Sequence, residues 1–124
     1  MLLQARVQWS CDMIGFALEN AESSMVFGSG VWFKMLQHSF FEVLDSLELK
    51  PAVFRKKWDT KVLFKNTATI HFFDIEKQPD FRKIPVPENT YLVEDAPGLN
   101  EKIWINSVLP FLLTGNTKIN RMGE

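Results

Sequence analysis

Hydrophobic positions recur at helical spacing in two stretches near the start of the chain. Over residues 31–47, Phe33, Leu36, Phe40, Val43, Leu44 and Leu47 fall three or four apart, which predicts an amphipathic helix running to about Leu49. Gly28-Ser29-Gly30 precedes it as a turn, and the Ser29 hydroxyl can cap its first turn. Over residues 2–21, Leu3, Val7, Cys11, Ile14, Ala17 or Leu18, and Ala21 share a second stripe. Trp9, Met13 and Phe16 widen that apolar surface beyond one narrow face. Met25-Val26-Phe27 is a short apolar run between the two.

The pattern changes after Lys50-Pro51. Pro51 can open a short helical segment to Trp58, in which Phe54 and Trp58 meet at i,i+4. Between residues 60 and 75, β-branched and aromatic residues favour strands. Ala68, Ile70 and Phe72 then face one way, and Thr67, Thr69, His71 and Phe73 the other. Lys61-Val62-Leu63-Phe64 supplies a preceding strand, with Lys65-Asn66 as the turn, although a helix through the same residues stays open. Pro79, Pro85 and Pro87 make residues 76–90 loop-like. Thr90-Tyr91-Leu92-Val93 reads as a short strand. Asn100 can cap a helix from Glu101 to about Leu113 that Pro110 bends and Gly115-Asn116 ends. A loose tail is expected from about residue 115.

These elements predict one α+β domain over residues 1–124. It has two N-terminal helices, a small antiparallel sheet from parts of 61–75 and 90–93, and a C-terminal helix. The alternative is an all-α helical bundle, which needs a crossover at 76–99 longer than bundles ordinarily use.

Composition supports a packed domain. The chain has 124 residues, 46% hydrophobic and 23% charged, with 11 Phe and 4 Trp, enough ring surface for a core and for an interface besides. The net charge of -1 is unevenly spread. Residues 51–83 hold eight basic and four acidic side chains, whereas residues 1–50 hold three and six. Arg55, Lys56, Lys57, Lys61 and Lys65 make the middle third mildly basic, a place for an acidic partner or a phosphate. Arg55-Lys56-Lys57-Trp58 sets cations beside an aromatic ring and is the candidate interface or phosphate contact. Nucleic acid is not the expected partner, because such binding usually needs a more basic chain. Charges at Arg6, Asp12 and Glu19 interrupt the first twenty residues, so no membrane span is expected. Cys11 is the one cysteine, which fits a reducing, cytoplasmic setting, and its place on the apolar stripe predicts a core residue.

Candidate chemistry centres on the two histidines. His38 lies one turn from Glu42 and near Asp45, so a carboxylate can orient its ring. His71 comes together with Asp74 in a helix but not in a strand, where the two point to opposite faces. Trp32 ahead of His38 near the start of the second helix is similar to DinB-like metalloproteins, over residues 29–47 alone. That resemblance implies a helical bundle with a metal-binding histidine, but the later His-x-x-x-His pair of that pattern is missing here. Gly28-Ser29-Gly30 is too short for a phosphate loop. No coherent nucleophile or acid–base set stands out, and no cofactor is expected. The expected function is a non-enzymatic protein–protein interaction module, a subunit, adaptor or inhibitor, with a homodimer as the economical assembly. The alternative is a small-ligand or metal-binding protein, extending to a hydrolytic enzyme that uses His38 or His71.

Overall fold

The structure, a computed structural model, describes residues 3–57, 59–74, 89–93 and 118–122. In chain order its elements are α1 (Leu3–Asn20), β1 (Ser24–Gly28), α2 (Gly30–Ser46), β2 (Ala52–Arg55), β3 (Asp59–Leu63), β4 (Thr69–Asp74), β5 (Asn89–Val93) and β6 (Lys118–Met122). The strands form one sheet in the order β2-β3-β4-β1-β5-β6. β3 runs antiparallel to both β2 and β4, whereas β1 pairs parallel with both β4 and β5, and β5 with β6.

This mixed sheet corrects the expected architecture. β1 separates the two helices, so they do not form an N-terminal pair. The sheet is not antiparallel throughout, and the last described element is a strand where a loose tail was expected. The all-α alternative fails on the same sheet. The helix expected over 101–113 lies outside the described residues. Residues 52–55 are strand rather than helix, because Ala52 to Arg55 pair with Leu63 to Thr60 and a ladder outweighs a single i,i+4 ring contact.

Both helices pack on one face of the sheet. Phe33, Leu36, Phe40, Val43 and Leu44 of α2 are buried, as their spacing predicts, while Leu47 just beyond the helix is 53% exposed. They meet Val26, Val62, Ile70 and Phe72 from the sheet and Met13, Ile14 and Ala17 from α1. The Phe40 and Phe72 rings meet edge to face with centroids 5.2 Å apart. Ser29 stands at the N-cap of α2 in an extended conformation, but its side chain makes no cap hydrogen bond.

α1 buries only part of its predicted stripe. It buries Arg6, Ser10, Met13, Ile14 and Ala17 and leaves Leu3, Val7, Leu18 and Cys11 exposed. Arg6 Nε donates to Ser39 Oγ of α2 at 3.1 Å, and Ser10 Oγ donates to Arg6 O at 2.8 Å. A polar contact thus occupies the α1–α2 seam, and Trp9 beside it packs against Phe40 and Phe72. Cys11, expected in the core, is a surface residue as a result.

The β3–β4 hairpin turns through Phe64 to Ala68, closed by Phe64 N–H to Ala68 O at 2.9 Å. Asn66 Nδ2 donates to Ala17 O at 2.6 Å, fastening this turn to the last turn of α1. The face of the sheet away from the helices carries Met25, Phe27 and Phe73, all buried, with the Phe27 and Phe73 rings stacked at 5.4 Å.

Candidate functional site

A cleft opens where β4 ends. Antiparallel pairing sets Asp59 opposite Phe73 and Thr60 opposite Phe72, so the start of β3 lies beside the end of β4. Gly28, the last residue of β1, is level with Asp74. The first two turns of α2 form the other wall. The cleft has a volume of about 140 Å³, lined by Phe33, Lys34 and Gln37 of α2, Lys56 and Lys57 of the β2–β3 turn, Asp59 and Thr60 of β3, and Phe72 and Asp74 of β4. Three lysines and two aspartates line it together with the buried rings of Phe33 and Phe72.

A second cleft, of about 280 Å³, lies on the face of the sheet opposite α1 and α2. Phe54, Lys61 and His71 stand in one cross-strand row, because Phe54 pairs with Lys61 and Lys61 with His71. Lys56 and Asp59 complete its lining, so these two residues border both clefts. The His71 ring lies 3.9 Å from that of Phe73. Its Nε2 is enclosed without a hydrogen-bond partner among the described residues, and Asp59 Oδ2 is 3.5 Å away. Their side chains are only 19% and 11% exposed. Burial pushes the His71 pKa down to about 4, and the Asp59 charge opposes this without overcoming it, while Lys61 and Lys56 add to the lowering. The imidazole is therefore neutral at neutral pH, and the pair is a carboxylate beside an uncharged ring rather than an ion pair.

The sequence-predicted sites are dispersed. His38 Nε2 meets Glu42 Oε1 at 2.9 Å, but the side chains are 75% and 63% exposed on the outer surface of α2. Asp45 borders a separate depression with Glu48, Leu49 and Lys50. His71 and Asp74 belong to one strand and line different clefts. The carboxylate that faces His71 is Asp59, further along the neighbouring strand of the ladder. Arg55 leaves its basic neighbours and lies over the Phe41 ring, 4.6 Å from the centroid. Lys56 and Lys57 enter the cleft, and Trp58 lies outside the described residues.

Among the described residues no group of three or more His, Cys, Asp or Glu is placed to hold a metal ion. Nor is any described helix long and apolar enough to cross a membrane. No known protein family matches the chain, and no curated protein or solved structure shows significant similarity to it.

Proposed function

We propose that the protein binds a small phosphate-bearing ligand in the cleft at the end of β4. The observation that carries this reading is the convergence of Lys34, Lys56 and Lys57 where the parallel strands β1 and β4 end. Ligands of open sheets with parallel strands collect outside the carboxyl ends of those strands. Ammonium groups from a helix and a turn supply charge-assisted hydrogen bonds to phosphate oxygens. Gln37 and Thr60 offer neutral hydrogen-bonding groups to the rest of the ligand, and Phe33 and Phe72 give it an apolar backing. Asp59 and Asp74 offset part of the positive charge, which favours a compact ligand with its own donors over a bare polyanion.

Isothermal titration with inorganic phosphate and pyrophosphate tests the reading. Saturable, salt-sensitive binding is expected, weakened about tenfold by Lys34→Ala and again by Lys57→Ala, since a hydrogen bond to a charged group contributes roughly 1.5–3 kcal/mol. Equal binding by wild type and both variants, or no saturable binding, overturns it.

The interaction-module reading draws support from a different place. Leu3, Val7 and Leu18 form an exposed apolar stripe on α1, a surface that a protein partner or a second copy can cover. Sedimentation across a concentration range tests the homodimer; a monomer at all concentrations counts against it. The lone Cys11 supports the cytoplasmic placement that accompanies both readings.

A further inference from the structure

Among the described residues, β2 is an edge of the sheet. It pairs with β3 on one side only, and all four of its residues are exposed. The hairpin is closed by Lys56 N–H donating to Asp59 O at 2.8 Å. That bond fixes the parity of the strand. Backbone groups alternate in direction, so those of Phe54 share the β3 side with Lys56, and those of Val53 and Arg55 point outward. The edge thus presents two N–H and two C=O groups in line. Val53 is 39% exposed on one face and Phe54 50% on the other, so apolar surface flanks the open ladder on both sides.

Basic side chains outnumber acidic ones around this edge, with Asp59 opposite Lys56 in the hairpin. Lys50 precedes the strand, Arg55 ends it, and Lys56 and Lys57 follow. Lys61 stands beside Phe54 on the neighbouring strand. A second copy meeting β2 edge to edge would bring these cations together, and charges of this kind are how edge strands avoid self-pairing. An acidic strand meets no such barrier.

We propose that β2 accepts an extended acidic segment of a partner protein as an added strand. Its main chain bonds the outward groups of Val53 and Arg55. Apolar side chains on one face of the added strand cover Val53, and acidic ones on the other face reach Lys56 and Lys61 beside Phe54. Main-chain pairing supplies the affinity and the basic rim selects the partner, the division of labour found when peptides join sheet edges. This surface shares Lys56 with the phosphate cleft, but its main-chain groups belong to the outer edge of the sheet and take no part in that cleft.

A fluorescent peptide of alternating Glu and Val tests the proposal, with a Lys–Val peptide as control. Salt-sensitive, saturable anisotropy is expected with the first and none with the second. Hydrogen exchange on the complex is expected to protect the Val53 and Arg55 amides, whereas Phe54 is protected from the start. Val53→Pro removes an outward N–H without touching the β3 ladder, and weakens the peptide by about tenfold or more. Undiminished binding by Val53→Pro, equal binding of both peptides, no binding of the Glu–Val peptide, or unchanged exchange at Val53 and Arg55 would each overturn it. The exchange pattern is read on the wild-type chain, so it decides the matter even where the variant fails to fold.

Discussion

Acidification should destabilise this domain through His71 in particular. The ring is largely buried and its pKa is lowered to about 4, whereas in the unfolded chain it titrates at the ordinary histidine value of 6.5. The unfolded chain therefore takes up the proton first as pH falls. Stability linked to this group is complete above about pH 6.5, declines as pH drops toward 4, and is not recovered below. A tenfold difference in proton affinity between the folded and unfolded chains corresponds to about 1.4 kcal/mol, so by about pH 4 the loss reaches about 3 kcal/mol. Other carboxylates also titrate in that range, and a variant isolates the histidine. Urea unfolding of wild type and His71→Gln, each at about pH 7.5 and about pH 4, should show the wild type losing about 3 kcal/mol more than the variant. Proton NMR of the His71 ring gives the folded-state pKa directly. Titration near 6.5, or an equal acid sensitivity in His71→Gln, refutes the reasoning that burial outweighs the Asp59 carboxylate.

Two substitutions test the core and the first helix by denaturant unfolding. Phe40→Ala removes a fully buried ring that packs against Trp9, Phe41 and Phe72, and is expected to cost roughly 3–5 kcal/mol; Leu47→Ala, on the same predicted stripe but exposed, should stay within about 0.5 kcal/mol. Gly15 lies within α1, and a Cβ placed there meets no atom within 4 Å, so Gly15→Ala should stabilise the protein by about 0.5–1 kcal/mol.

The second helix was legible because its apolar residues fall on one face and polar ones on the other. The first was legible as a helix but not in its orientation. Its apolar residues spread around the cylinder, so periodicity did not select the face, and the Arg6–Ser39 contact that seats it comes from a residue 33 positions away. β1 was hidden for a related reason. Ser24 to Gly28 are buried on both faces, as expected for a strand with parallel neighbours, so no alternation marks them. The parallel pairings of β1 join segments far apart in sequence, which local patterns do not encode. The alternation of Ile70 and Phe72 against His71 and Phe73 was visible, but Phe73 on the opposite side of β4 is buried too. As for the candidate site, the basic run at 55–57 was visible, but its division was not: Arg55 turns to Phe41 while Lys56 and Lys57 turn to the end of β4. Asp59 was overlooked because its relation to His71 exists only in the register of the hairpin.

The bond from Asn66 to Ala17 has a consequence for how the chain acquires its structure. The last carbonyls of a helix have no partner within it, and here one is supplied by a turn 49 residues downstream. Asn66 Oδ1 also accepts from Ala68 N–H at 3.1 Å, and Ser23 Oγ, just beyond the helix, accepts from Thr69 N–H at 3.1 Å. The end of α1 and the start of β4 are therefore completed by one another. The contacts that join them cannot form before the intervening chain has closed, and that closure carries its entropy cost ahead of its reward. Helix terminus and hairpin then form and open as a single cooperative unit, and fraying at one end of α1 is transmitted directly into the sheet.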